Sequence, residues 1–292
     1  MDALTIALAA SPALLYTVLG VLGLTVGSFL NVVILRLPRM LETRWRAECR
    51  EYLGQTDENQ PAAPFNIAVP ASHCPACHHA LRWWENLPLV SYLLLRGRCS
   101  SCKTGISPQY PLVEAATAAL AVLTAVQIPF GWPLLFALVL VWSLLALTVI
   151  DLNTMLLPDQ LTLPLLWLGL LLNLSGMFAP LQDAVIGAAA GYLSLWSVYH
   201  GFRLLTGKEG MGYGDFKLLA ALGAWMGWQA LPGIILLSSL VGAIIGIGMI
   251  LLRGKDKNVP IPFGPYLAIA GLIWFFLGDV IAALYLGGGI RP

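Results

Sequence analysis

Two groups of residues have the types and spacing that chemistry needs. The first is Cys74-Pro-Ala-Cys77 followed, after 21 intervening residues, by Cys99-Ser-Ser-Cys102. Two CxxC pairs on tight turns present four thiolates that can close tetrahedrally on one zinc ion. Four protein ligands leave no open position for water, so such a metal shapes a domain and performs no catalysis. A redox dithiol or an iron site is the competing reading of the same spacing. His73, His78 and His79 crowd the first pair, but four thiolates already fill a structural site, so the three are read as surface or supporting histidines. Cys49 is left over as an ordinary free thiol.

The second group is a pair of acids. Asp151 follows a long uncharged stretch, and Asp215 stands in Gly212-Tyr213-Gly214-Asp215 just before another, 64 residues further on. An ionisable group inside or beside a membrane span is expensive, and its default explanation is function. Two carboxyl groups brought together in a partly dry site cannot both ionise cheaply, so they hold one proton between them. The ionised member can take a proton from water while the neutral one donates to a carbonyl, the division of labour that metal-free peptide hydrolysis requires. Gly212 and Gly214 leave the backbone beside Asp215 bare, so that an extended substrate can approach it. The plainer reading is that Asp151 ends a span and Asp215 caps a helix, since Asp is favoured at helix starts and Gly in the turn before them.

Elements must exist to position these groups, and composition says which. Of 292 residues 58% are hydrophobic and only 11% charged, far below the roughly 25% of a soluble globule. Disorder, a collagen-like repeat and a secreted disulfide scaffold are excluded. A net charge of +1 gives no case for nucleic-acid binding. Residues 3–35 carry no charge, and roughly 20 apolar residues suffice for a helical crossing. With only Asp2 ahead of it, this first run lacks the basic lead of a cleavable signal and is expected to be retained. Residues 36–103 then hold nine basic and six acidic side chains with both CxxC pairs. From 104 to 202 there is no Lys or Arg, and the only acids are Glu114, Asp151, Asp159 and Asp183.

Turn-forming pairs at 128–129, 131–133, 157–159 and 179–180 cut that stretch into four crossings. The expected spans are about 14–35, 111–128, 132–150, 160–178 and 183–203, two more from 218–252 divided at Leu231-Pro232-Gly233, and one at 262–286. The fold expected is therefore an all-α polytopic membrane protein of about eight transmembrane helices, with a small zinc-binding domain between the first and second. Its division is 1–35 as the first span, 36–110 as the cysteine domain and 111–292 as seven further spans. Fifteen of the sixteen Lys and Arg fall on one face of this arrangement, Arg291 being the exception. The excess of basic residues on cytoplasmic loops makes that face the cytosol and puts both termini outside, with Asp151 and Asp215 at the same cytosolic leaflet. Membrane lipid is the expected solvent.

The motifs as a set resemble those of the type IV prepilin peptidases, membrane aspartic proteases of the GxGD class. The resemblance is carried by Gly212-Tyr213-Gly214-Asp215-Phe216-Lys217 and by Asp151 with Leu157-Pro158-Asp159. It extends through Gly27-Ser28-Phe29-Leu30-Asn31, Arg36-Leu37-Pro38, Ser72-His73-Cys74, Trp83-Trp84-Glu85-Asn86 with Pro88, and Ser91-Tyr92-Leu93. It continues in Arg96-Gly97-Arg98-Cys99, Tyr110-Pro111-Leu112-Val113-Glu114 and Pro262-Phe263-Gly264-Pro265, so it runs over nearly the whole chain. The presenilin branch of the same class usually has Tyr before its first aspartate, where Ile150 stands here.

The resemblance implies a bifunctional enzyme of the bacterial inner membrane. It would cut the basic leader from type IV prepilins and type II secretion pseudopilins, then methylate the new amino-terminal residue, usually phenylalanine, with S-adenosylmethionine. Asp151 and Asp215 correspond to the proteolytic pair, and the cysteine domain is the part linked to methylation. No glycine-rich methyltransferase turn is present, so no residue is assigned to the methyl donor. Among other residues, Glu114 is read as a helix-start carboxylate or as an active-site or leader contact. Lys217 is read as lowering the pKa of Asp215 or reaching to the surface, and Asp159 as a helix cap. Two rival functions stay open: a multi-span transporter with a regulatory zinc domain, and a noncatalytic scaffold.

Overall fold

The computed structural model describes residues 3–55, 65–253 and 262–286. Asp2, Lys255, Lys257 and Arg291, which entered the charge argument, lie outside them. Among the described residues there is no β-strand, and the chain is helical almost throughout. By length and apolarity five helices are able to cross a membrane, so this is an all-α membrane protein.

The first helix, α1 (Ala3–Ala10), is short. Ser11 ends it and starts α2 (Pro12–Tyr52), accepting the Leu14 N–H at 3.4 Å, with Pro12 in the first turn where its missing N–H costs nothing. At 41 residues α2 is a correction to the expected 14–35. Residues 36–52 are rich in Arg, Glu and Leu, which favour helix, and two i,i+4 pairs, Arg46–Glu42 and Arg44–Glu48, lie along them. The helix therefore continues past the span, through Pro38, as a charged rod. A small 3-10 turn at Trp83–Asn86 and α3 (Val90–Leu94) follow between the two CxxC pairs. Then come α4 (Gln109–Gln127), α5 (Trp132–Thr154), α6 (Asp159–Asn173) and α7 (Leu181–Thr206). The chain closes with α8 (Tyr213–Met226), α9 (Leu231–Arg253) and α10 (Gly264–Leu286).

Helices thus occur at all eight expected positions, but not all are spans by length and apolarity. With 15 and 14 residues, α6 and α8 are only about 22 and 21 Å long at 1.5 Å per residue, against a hydrocarbon core of about 30 Å. A glycine at positive φ follows each, Gly176 at φ 67° three residues after α6 and Gly227 at φ 80° directly after α8. At 26 residues α7 is long enough, but Asp183, His200 and Arg203 dilute its apolarity.

Two compact units divide at Leu134. In the first, α2 packs along α4. The approach is so close that a Cβ on Gly27 would stand 2.7 Å from the Glu114 Cα, the small-residue contact by which membrane helices associate. Asn31 Nδ2 donates to the Tyr110 carbonyl at 3.1 Å, fixing the register. Beyond the span, the Arg36 guanidinium gathers the carbonyls of Asn66, Ile67 and Pro70 at 3.0, 3.1 and 2.7 Å, tying the cysteine region back to α2.

In the second unit α8 is the hub, packed by α6, α7, α9 and α10. Phe216, Leu218, Leu219, Leu222 and Trp225 are completely enclosed, so a helix too short to cross lipid alone is sheathed by protein instead. Its height is set by polar clasps. Trp225 Nε1 donates to the Leu165 carbonyl of α6 at 2.8 Å. Asn173 donates to the Ala224 carbonyl at 2.9 Å and accepts the Phe178 and Ala179 N–H groups at 2.9 and 3.0 Å. Every hydrogen-bonding position of that buried amide oxygen is used, as burial demands.

Candidate active site and metal centre

The second unit brings the two acids together from three helix ends. Asp151 lies in the last turn of α5 and Asp215 in the first turn of α8, only 4% and 6% exposed. That first turn starts five residues before the expected 218, because Gly212 is extended at φ −84°, ψ 150° and the helix begins at Tyr213. The charge of Asp151 acts on Asp215. Each acid draws a backbone N–H from the start of a helix: Asp215 from Gly212 ahead of α8, and Asp151 from Gly264 at the start of α10. These N–H groups are among the ones a helix start leaves free.

Leu157, on the turn between α5 and α6, is the spacer. A Cβ on Gly214 would stand 2.7 Å from the Leu157 Cβ, and one on Gly264 would stand 2.9 Å from its Cδ1 and 2.5 Å from Asp151 Oδ2. Any side chain at 214 or 264 would therefore push this wedge or the carboxylate aside. Gly214 does its work here by admitting Leu157, whereas a Cβ on Gly212 would find open room, 3.9 Å from Asp215 Oδ2.

The capping explanation of Asp215 turns out to be half the story. Its carboxylate does reach back to the helix start, like the acid of a capping box. Yet Oδ1 is buried with no hydrogen-bond partner, an expensive state for a carboxylate oxygen unless a proton or a reactant faces it. Two enclosed carboxyl groups, one with a free oxygen, can divide acid and base duties on a water and a carbonyl.

Lys217 is engaged elsewhere: its Nζ sits 2.6 and 2.8 Å from the two oxygens of Asp159. Asp159 in turn is no cap, since Pro158 precedes it at the helix boundary and no side-chain cap bond forms. The two clamp α8 to α6. Glu114, 8% exposed, lies in the second turn of α4, where it accepts the Leu89 N–H at 2.8 Å and the Ser28 hydroxyl. It caps no part of its own helix.

The four thiols form one cluster, with all sulfurs within 4.8 Å of one another. Cys74 and Cys102 sulfurs are 3.8 Å apart, those of Cys77 and Cys99 3.9 Å. A tetrahedron with metal–sulfur bonds of about 2.3 Å has edges of about 3.8 Å, so the donors fit one thiolate-bound ion. The two halves are built alike, at an offset of 25 residues. Cys74 N–H donates to His79 O and Cys99 N–H to Thr104 O, both at 2.9 Å, and His78 N–H to Cys74 O and Lys103 N–H to Cys99 O. His78 and Lys103 both take positive φ, 57° and 61°, and the bridges His73–Ala80 and Arg98–Gly105 close each loop.

Backbone N–H groups of Cys77 and Ala76 hold the Cys74 thiol below its ordinary range, and Thr104 brings Cys102 down to about 6. Cys77 moves the other way, to about 11, because the His79 N–H that would lower it is outweighed by burial and the neighbouring sulfurs. Thiolates this close repel, and a divalent cation removes that repulsion. None of the three histidines joins the cluster. His79 instead pairs with Glu85 at 3.2 Å. The Arg82 N–H, then Ser100 and His79, hold the Glu85 carboxyl at about 2.

Sequence reasoning missed Leu157 as a wedge, Gly264 as the partner of Asp151 and Leu89 as the partner of Glu114. Gly264 carried a signal, a glycine between Pro262-Phe263 and Pro265 at the start of a span. Leu89 carried none.

Comparison with known proteins gives two family matches. Residues 21–128 match the bacterial peptidase A24 N-terminal domain, and residues 138–247 the type IV leader peptidase family. A protein named prepilin leader peptidase/N-methyltransferase from Aeromonas hydrophila is 61% identical over 275 residues, 94% of this chain and 95% of its own length. Proteins of the same name from Pseudomonas aeruginosa and Xanthomonas campestris are 60% and 52% identical, each over 91% of this chain and 91% and 92% of their own. No solved structure matches.

Proposed function

The chain belongs to the type IV leader peptidase family, and from that premise we propose that it removes the basic leader from type IV prepilins and then methylates the exposed amino-terminal residue. Its place is the bacterial inner membrane. Pseudopilins of type II secretion are further substrates, phenylalanine is the usual residue methylated, and S-adenosylmethionine is the methyl-donating co-substrate. Residues 36–110, following the first span at 1–35, serve methylation; 111–292 form the protease. The charge bias favours a cytosolic position for the cysteine domain and for the acids, with both termini periplasmic.

Asp151 and Asp215 are the catalytic pair. The ionised one takes a proton from the attacking water as its oxygen bonds to the scissile carbonyl carbon. The neutral one gives its proton to the carbonyl oxygen. Collapse then returns the carbonyl oxygen's proton to the acid that gave it and breaks the carbon–nitrogen bond, and the departing nitrogen takes the proton that the other acid removed from water. The observation that supports this reading most directly is the free Oδ1 of Asp215 in an enclosed pair of acids. A basic leader stays in the cytosol while the pilin's apolar helix stays in the membrane, so the bond to be cut lies at the membrane rim, where the two acids sit at helix ends.

The four thiolates hold zinc as a structural ion, which closes the two loops on each other and leaves no coordination position for a reactant. Lys217 acts on the site indirectly, through its clamp on Asp159.

The deciding experiment incubates the purified protein in detergent with a basic-leader pilin precursor and isotope-labelled S-adenosylmethionine, and weighs the product. Loss of the leader plus one labelled methyl group is the expected result. An unchanged precursor mass would reject both activities, and gradient-driven ion uptake by reconstituted vesicles would favour the transporter.

A further inference from the structure

Asp151, Asp215 and Glu114 are the buried acids among the described residues, and Glu114 belongs to neither the cleavage pair nor the thiolate cluster. Its Oε2 takes the N–H of Leu89. Leu89 stands at φ 57°, ψ −44°, and the Val90 N–H folds back onto the Pro88 carbonyl at 2.5 Å. This is a γ-turn of the left-handed kind, rare because a side chain crowds the backbone there. A leucine does not hold such a turn unaided. Within the segment the Leu93 N–H donates to the Leu89 carbonyl at 3.0 Å and the Ser91 N–H to the Leu87 carbonyl at 3.1 Å, and the tie that reaches the turn from another element is the one to Glu114.

The placement of that bond gives it a role. The segment 78–98 is fastened at its ends by Cys77 and Cys99 of the metal cluster. Its middle is fastened at Leu89 by a carboxylate that also takes the Ser28 hydroxyl of α2, on a helix whose Glu114 Cα lies against Gly27. One acid thus joins α2, α4 and the loop between the CxxC pairs. We infer that Glu114 is a positioning residue for methyl transfer, holding Leu89 in its turn and thereby fixing the loop between the cysteine pairs against the first two long helices.

The inference rests on the assignment of methylation to the cysteine domain. In the transfer the methyl carbon leaves the donor's sulfur for the amine nitrogen in line, and the amine's proton goes to solvent. Glu114 takes no part in this exchange. Its contribution is alignment, and a displacement of about 1 Å is enough to slow an aligned transfer ~100-fold.

Four variants test this in the full-length protein: Glu114→Ala, Glu114→Gln, Leu89→Gly and the double variant Glu114→Ala with Leu89→Gly. Each is assayed for methyl transfer to pre-cleaved pilin, leader removal, zinc content and amide hydrogen exchange over residues 88–95. Glu114→Ala is expected to lower methyl transfer ~10- to 100-fold and to speed exchange, with zinc content and leader removal near wild type. Glu114→Gln keeps an oxygen to accept the Leu89 N–H and retains most of the transfer. The double variant regains transfer, because glycine adopts positive φ without crowding.

A Glu114→Ala protein with wild-type exchange and transfer would overturn the inference. So would a Glu114→Gln protein as poor as Glu114→Ala, which would make charge the operative property, or a double variant with no recovery. Parallel loss of zinc and both activities would reduce Glu114 to a folding residue. If the wild type transfers no methyl group at all, the functional reading fails, and the exchange measurement still decides whether the carboxylate holds the turn.

Discussion

The thiolate cluster and the carboxylate pair are opposite ways of gathering like ligands. The cluster draws its four sulfurs from one short stretch, residues 74–102, on two loops built alike, with backbone and side-chain donors aimed at the sulfurs of Cys74 and Cys102. The pair draws its acids from positions 64 residues apart, at helix ends brought together by tertiary packing, and leaves Asp215 Oδ1 unpartnered. A ligand set that saturates itself around an ion is a support, because nothing remains for a reactant to bind. A buried set with one oxygen unused is costly as a support and useful as a reagent. The lesson is that saturation distinguishes the two sites better than residue type does.

The comparison breaks if the acids can be removed without consequence. Asp151→Asn and Asp215→Asn should each reduce leader removal by ~1,000-fold or more, since general acid and base act as a unit, while metal content measured by mass spectrometry stays at wild type. Retention of cleavage by either variant would make the pair structural. Gly264→Ala comes next, because its methyl group would press on Asp151 Oδ2; a fall of ~100-fold in cleavage is expected from a misplacement on the ångström scale. Wild-type kinetics there would show that α10 does not set the carboxylate.

Cys74→Ser or Cys102→Ser should empty the cluster and damage methyl transfer far more than cleavage. An equal loss of both activities would deny the cluster its separate role.

A smaller effect is expected at Glu85, whose carboxyl is held at about 2 against an ordinary 4.5 by the Arg82 N–H, Ser100 and His79. A lowered folded-state value stabilises the loop above pH about 4.5 and is lost between there and about 2. Glu85→Gln should therefore loosen the loop at pH 7 in hydrogen exchange and converge with wild type under acid. A gap that widens on acidification would reverse the sign and refute the cause. Smallest of all, Lys217→Ala removes a partly exposed ion pair and should slow cleavage by no more than about 5-fold. A loss comparable to Asp215→Asn would return Lys217 to the active site itself.

How much of this could be read from the sequence follows the same divide. The cluster is legible because its spacing is local and its turns are short. The acids were legible from their positions beside uncharged runs, because a charge at a membrane edge needs a reason. Their N–H partners were not, since Gly264 meets Asp151 only through tertiary packing that no local pattern encodes. Helix positions were readable from apolar runs, but their ends were not. The continuation of α2 to Tyr52 depends on propensity and ion pairs after hydrophobicity stops, and the shortness of α8 is tolerable only because its neighbours surround it. For Lys217 the sequence offers two readings, an action on Asp215 or a reach to the surface, and chooses between them nowhere; on a helix a residue two positions on faces away, and its Nζ meets Asp159.

The unbroken length of α2 has a mechanical corollary. Its uncharged part, residues 12–35, measures about 36 Å at 1.5 Å per residue, more than the roughly 30 Å of hydrocarbon it must cross, so it leans. The helix runs on to Arg44 and Tyr52 through Pro38, a bend point with one backbone hydrogen bond fewer, so the angle the lipid imposes reaches the tip outside by way of that bend. Thinner or thicker bilayers would swing that tip like the pointer of a gauge.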